Sequence, residues 1–183
     1  MIIRFCQEND KYGGGEKYDF GFIVTSPSNF RYILHAHLIF THIKSNNMND
    51  VNIVEVGCGY GGLCLAIHLF SNLYNINILS YNLVDLPDMI NLQKIYLSNF
   101  NINNLKFHNA YDYNIENNLF LISNYCFSEI SDDNQKQYIQ KLFPKVIHGF
   151  MAWNFIPVYN FGFECKVVDE YPLTGCYNKY IFF

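Results

Sequence analysis

The chain predicts an α/β fold, with a mostly parallel central sheet flanked by helices and an antiparallel β-hairpin near the C-terminal end. Three observations carry that expectation. From Val51 onward, short apolar runs alternate with segments of helical period, which is the pattern of βαβ units. A β-type run at 52–56 passes directly into Gly57-Cys58-Gly59-Tyr60-Gly61-Gly62 and then into a helix. Two further β-type runs, 163–170 and 177–183, flank the turn-forming Pro172-Leu173-Thr174-Gly175.

Residues 1–25, with the turn-prone Lys11-Tyr12-Gly13-Gly14-Gly15, read as an irregular lead-in. A helix follows. Ser26 is placed to cap it, Pro27 suits its first turn, and Phe30, Ile33, Leu34, Leu38 and Thr41 recur on one face. The polar run 45–50 ends this helix, and the segment before it is too short for a core of its own. Residues 1–183 are therefore expected to form one domain, with 1–50 a helical extension or lid and 51–183 the core.

After the first strand, Leu63, Ala66, Ile67 and Phe70 mark a helix by their i, i+3, i+4, i+7 spacing. A second strand ends at Leu83-Val84-Asp85, Pro87 opens a helix to about residue 99, and 104–108 and 119–123 read as short strands. Ser131 heads the next helix, with Asp132 and Asp133 at its positive dipole end and Gln135, Tyr138, Ile139 and Leu142 as its buried stripe. Pro144 stops that helix, and 145–151 reads as a fifth strand before the hairpin.

Composition narrows the partners. Charged residues make up 15% of the chain, against about 25% in a typical domain, while 50% of residues are hydrophobic and 18% aromatic. A net charge of −4 argues against duplex nucleic acid, whose binding rests on Lys and Arg neutralising phosphates. The first residues carry no secretory-type apolar stretch, and the apolar run 63–70 is interrupted by His68 and far short of the ~20 residues that span a membrane. A soluble, cytoplasmic protein without nucleic-acid or membrane partners is expected. The cysteines show no C-x-x-C spacing, which suits reduced thiols. His35, His37 and His42 do not fall at zinc-ligand spacing on a helix, so no metal is assigned.

The glycine loop offers a tight strand-to-helix turn, close ligand approach and the free N–H groups of a helix start. Its spacing is ambiguous. Gly57, Gly59 and Gly62 fit G-x-G-x-x-G, and Asp85 stands near the position of a ribose-binding acid, which would suit an NAD(P)-dependent oxidoreductase. Glu55 converts the same loop into Glu-x-Gly-x-Gly-x-Gly, and about 50 residues precede the first strand. Both features favour S-adenosyl-L-methionine (SAM). A non-catalytic cofactor-binding or partner module is the third option.

Four blocks carry a more specific resemblance. Ser26-Pro27-Ser28-Asn29-Phe30-Arg31-Tyr32, Glu55 through Gly62, Val84-Asp85-Leu86-Pro87 through Leu97, and Ser123-Asn124-Tyr125-Cys126-Phe127-Ser128-Glu129 together resemble the sugar O-methyltransferase family, a branch of the class I, Rossmann-like SAM-dependent methyltransferases. The chain departs from that pattern at Cys58, where glycine is expected, and at Leu63, where glutamine is expected.

The resemblance implies SAM-dependent methyl transfer to a hydroxyl of a sugar, sugar nucleotide or glycan. Glu55, Gly57, Gly59, Tyr60 and Gly61 would line the methionine part of the cofactor, Asp85 the ribose, and Leu86, Tyr111 and Asp112 the adenosine, with Asn124 nearby at a strand end. Arg31, Tyr125, Ser128 and Asn154 would orient the acceptor. Glu129 is the first candidate for general base and His148 the second, since a histidine titrates near neutrality. A homodimer is an open option.

Overall fold

The computed structural model describes residues 1–13 and 15–183. Its first elements are α1 (Ile2–Tyr12), a short antiparallel pair β1 (Tyr18–Asp19) and β2 (Val24–Thr25), and α2 (Pro27–Ser45). The sheet region follows as β3 (Asp50–Val56), α3 (Gly62–Phe70), β4 (Asn77–Asp85), α4 (Pro87–Leu97), β5 (Leu105–Asn109), β6 (Leu119–Asn124), α5 (Asp132–Lys141), β7 (Val146–Trp153), β8 (Lys166–Asp169) and β9 (Lys179–Phe182).

These last strands form a seven-stranded sheet in the order β5-β4-β3-β6-β7-β9-β8. All pairs from β5 to β7 are parallel, whereas β9 runs antiparallel to both β7 and β8. The expected sheet and hairpin are therefore present, and the hairpin's second strand lies inside the sheet with its first strand at the edge.

Strand alternation divides the core in two. Ile53, Leu83, Phe120, Ile122, Phe150 and Ala152 face the layer built by α1 to α4, where Phe5, Phe40, Ile43, Ala66 and Leu97 are buried. Val54, Val84, Leu121, Met151 and Trp153 face the other side, where Tyr138 and Leu142 of the α5 region pack with Phe127, Phe143 and Phe161. The aromatic excess is largely accounted for by these two layers. The first 45 residues share the α1–α4 layer with the strands.

Two local expectations need correction. Residues 2–12, read as irregular, are helical, because Phe5, Cys6 and Asn9 make a buried stripe at helical spacing. Ser26 and Ser131 do occupy N-cap positions with extended backbone, yet neither hydroxyl makes a capping hydrogen bond. Gly14, part of the expected glycine turn, lies outside the described residues.

Candidate active site

The chain runs outward from β3 through β4 to β5, then crosses back to β6, so the strand order reverses beside β3. Open α/β sheets bind ligands in the crevice at the carboxyl ends of strands around such a reversal. Here that crevice holds the glycine loop. Gly57, Gly59 and Gly61 have φ of +74°, +55° and +104°, values that glycine adopts without strain. A Cβ on Gly57 would stand 2.2 Å from Cys126 Sγ, so the thiol packs directly on the glycine, whereas Gly59 faces open space.

Asp85 fastens the loop. Its carboxylate accepts hydrogen bonds from the Cys58 N–H, the Leu86 N–H and Gln93 Nε2, each at 2.9 Å, and Gln93 also donates to the Gly59 carbonyl. Burial raises the Asp85 pKa, and those donors oppose the rise. Gln93 is fully buried within α4 and escaped sequence reasoning as a site residue, although its place in the second turn of the helix that follows Asp85 was a usable signal.

Two cavities meet at Gly57. The larger, about 280 Å³, is lined by Asp85, Leu86, Ala110, Tyr111, Cys126 and Tyr138 among others. The smaller, about 170 Å³, is lined by Arg31, His35, Glu55, Gly59, Asn124 and Tyr125 among others. A separate cavity of about 480 Å³ opens beside Asp50 and Asn77, at the amino ends of β3 and β4, away from the loop.

Glu55 is 2% exposed and accepts a 2.6 Å hydrogen bond from the Tyr81 hydroxyl. Burial pushes its pKa up to about 7, with Asp85 adding in the same direction and the Tyr81 bond opposing. Across the cavity, Arg31 lies 5.6 Å from the centre of the Tyr125 ring. Tyr125 has φ +52°, a left-handed conformation costing a non-glycine residue about 1–3 kcal/mol, and its hydroxyl donates to buried Glu170. Thr174 and Asn178 also donate to Glu170, so that despite burial its pKa is lowered. Sequence reading missed both Glu170 and His35.

Four expected site residues are placed elsewhere. Tyr60 turns away from both cavities: its ring packs edge-on against Tyr96 at 4.8 Å, and its hydroxyl accepts from Asn9 at 2.9 Å. Gly61 begins α3 and faces Leu97. Asp112 closes a turn through its N–H to the Asn109 carbonyl and is exposed outside the cavity lining. His148 sits near the amino end of β7, four residues before Ala152, which pairs with Asn124. At ~3.3 Å per residue that is about 13 Å from the site level, and its ring faces His42 instead.

Glu129 is exposed in the 126–131 segment, whose Cys126, Ile130 and Ser131 line the larger cavity. Its carboxylate accepts from Asn154 Nδ2, so the structure brings together the candidate base and one candidate acceptor residue. Ser128, beside it, is buried with an unpartnered hydroxyl.

The fold is that of Rossmann-like methyltransferases. One similar solved structure, described as an S-adenosyl-L-methionine-dependent methyltransferase from Methanococcus maripaludis, shares 16% identity over 68% of this chain and 56% of that one, with a TM-score of 0.51. The mitomycin 7-O-methyltransferase MmcR matches with 10% identity, 82% and 52% coverage and a TM-score of 0.55. The SAM-bound amino pentose methyltransferase CalS10 from Micromonospora echinaspora matches with 11% identity, 76% and 58% coverage and a TM-score of 0.52. The chain spans about half the length of these structures. No protein-family profile and no curated protein matches it. No helix among the described residues is long and apolar enough to cross a membrane.

Proposed function

We propose that the chain is a SAM-dependent O-methyltransferase acting on a sugar hydroxyl. The observation that carries this reading is the pair of cavities joined at Gly57, with Asp85 bordering one and Glu55, Arg31 and Asn124 the other. A nucleoside suits the first, whose lining brings Asp85 together with Leu86 and Tyr111. Buried polar atoms without partners around the second suit a charged, hydrogen-bonding end. When bound, SAM supplies a sulfonium methyl group that an acceptor oxygen takes by in-line displacement, the C–S electron pair staying with sulfur.

Asp85 then serves twice, holding the glycine loop through three donors and taking a ribose hydroxyl on the lone pair that Oδ1 keeps free. Glu129, steadied by Asn154, is the base that receives the acceptor's hydroxyl proton, a role worth about 10² to 10⁴ in rate. The sugar acceptor is supported by the four sequence blocks between Ser26 and Glu129. Nicotinamide dinucleotides are the poorer fit. Their usual sheet has the order 3-2-1-4-5-6, whereas here antiparallel β9 separates β7 from β8.

The test is calorimetric titration with S-adenosylhomocysteine (SAH) and with NAD, followed by mass spectrometry of sugars and sugar nucleotides incubated with SAM and protein. SAH binding and a methylated sugar are expected. Saturable NAD binding without SAH binding would refute the cofactor, and SAH binding with methyl transfer to no sugar would refute the acceptor.

A further inference from the structure

The most exposed aromatic side chains of the protein gather at one place. Among the described residues, Tyr171, Tyr177 and Phe155 are 82%, 78% and 68% exposed, more than any other Phe, Tyr or Trp. The sheet register brings them together. Trp153 and Asp169 both pair with Lys179, so two residues further on Phe155 and Tyr171 stand on either side of Tyr177, at the adjoining ends of β7, β9 and β8. The Glu170 N–H donates to the Asn178 carbonyl at 3.0 Å, which carries the β8–β9 pairing one step toward the row. With neighbouring strands about 4.8 Å apart, the three positions span about 10 Å. The row lies beyond the carboxyl end of β7, next to Asn154, whose amide donates to Glu129.

The loop that presents two of these rings reverses the ordinary division of polar and apolar groups. Glu170 is buried, and its carboxylate accepts from the Thr174 N–H and hydroxyl, from Asn178 Nδ2 and from the Tyr125 hydroxyl. Polar groups of 170–178 are thus directed at Glu170, while Tyr171, Leu173 and Tyr177 are left outside. A buried carboxylate beneath an exposed apolar patch is the kind of surface that marks a place of contact. Through Tyr125 the same carboxylate also holds the segment that leads to Glu129, so the exposed rings and the proposed base share one anchor.

Charge selects the occupant. Residues 154–165 and 170–178, which carry the row, contain no Lys, Arg or His, and Lys179 is already in an ion pair with Asp169. Glu129 touches Asn154, and Asp132 adds its charge near Tyr159. A diphosphate would meet carboxylates here. A pyranose ring is uncharged and stacks its apolar C–H face on an aromatic ring, and a row of this length takes more than one such ring. We propose that Phe155, Tyr177 and Tyr171 form a platform for the sugar rings that flank the methylated one, so that the acceptor is a neutral oligosaccharide or glycan chain rather than a nucleotide sugar. This rests on the methyl-transfer reading above and names its acceptor: the reacting ring lies at Glu129, and the sugar chain extends outward over β7, β9 and β8.

The test separates binding from turnover. SAH-loaded protein is applied to an array of neutral and charged glycans, and the neutral oligosaccharides it retains are titrated by calorimetry beside the matching monosaccharides and nucleotide sugars. The oligosaccharide should bind on the order of tenfold tighter than either, and the double variant Tyr171→Ala/Tyr177→Ala should lose on the order of tenfold of that affinity with SAH affinity and melting temperature unchanged. Tyr171→Phe/Tyr177→Phe, which keeps the rings, should retain it. With SAM present, the alanine pair should raise KM for the oligosaccharide and leave kcat nearly unchanged. Preference for a nucleotide sugar, absence of oligosaccharide binding, or binding that the alanine pair leaves intact would each overturn the proposal. So would self-association that the alanine pair abolishes in a protein that binds no glycan. Oligosaccharide binding that depends on the two tyrosines, without methyl transfer to any bound glycan, would support the platform and overturn the reaction assigned above.

Discussion

Glu55→Gln should make the protein more stable at pH 8 and leave it little changed near pH 4.5. In the native chain the Glu55 carboxyl is buried at the end of β3, and burial carries its pKa from 4.5 to about 7. Between those values the folded chain keeps a proton that the unfolded chain has released, so stability falls as pH rises through the window and stays lowered above it. About 2.5 pH units at ~1.4 kcal/mol each amount to about 3 kcal/mol by pH 8.

The groups facing Glu55 do not blur the comparison. Tyr81, Cys58, Cys64 and Tyr32 all have raised pKa values and remain neutral throughout. Asp85, also raised, contributes a slope of its own that is largely shared by both proteins. Glutamine keeps the side chain's shape and an oxygen for the Tyr81 hydroxyl, but has nothing to ionise. Urea unfolding of both proteins at pH 4.5, 6, 7 and 8 should show a gap that opens with pH toward about 3 kcal/mol in favour of the variant. Parallel stability curves would refute the reasoning. The variant should also bind SAH more weakly, since glutamine offers no negative charge to the ammonium of its methionine part.

Other substitutions probe the rest of the site. Gly57→Ala meets both positive φ and the Cys126 thiol and should cost on the order of 3 kcal/mol, whereas Gly59→Ala, with open space around it, should cost about 1 kcal/mol; thermal unfolding giving equal losses would contradict the packing. Asp85→Asn removes a carboxylate that accepts three hydrogen bonds, so SAH affinity should drop at least tenfold and the melting temperature should fall, and wild-type behaviour in calorimetry and melting would count against it. In a methyl-transfer assay Glu129→Gln should lower kcat by about 10² to 10⁴ with SAH affinity retained, while His148→Ala should leave kcat unchanged; the reverse pattern would return the base to His148.

What the sequence disclosed was mainly what local chemistry encodes. Pro27 and Pro87 mark helix starts because a fixed φ suits the first turn, and the run from Glu55 to Gly62 announces a strand, a tight turn and a helix within eight residues. Asp85 was found because strand ends and ribose acids share a spacing. The failures lie in long-range partners. Tyr60 is claimed by Asn9, 51 residues earlier, and Tyr125 is anchored by Glu170, 45 residues later. His148 was misplaced because the expected strand, 145–151, stopped two residues short of the observed end at Trp153, which set His148 nearer the carboxyl end than it lies. His35 was weighed only as one of three histidines for zinc, a test blind to a buried, neutral imidazole. The α1 stripe was overlooked because Gln7, Glu8 and Asp10 interrupt it and the glycine-rich run follows closely.

The position of β9 has a consequence for how the polypeptide acquires its shape during synthesis. Residues 179–182 leave the ribosome after the six strands they join in the sheet, yet they fill an interior place between β7 and β8. Until they emerge, β7 presents an open hydrogen-bonding edge, and β8 has no strand to pair with. The parallel half of the sheet, with the glycine loop and Asp85, can assemble earlier from contiguous βα units. A nascent chain stalled short of residue 179 would therefore carry a formed loop beside an uncovered edge, the kind of surface on which chaperones act and chains associate. Pairing of β8 and covering of the β7 edge are, in this topology, a single event that waits for β9.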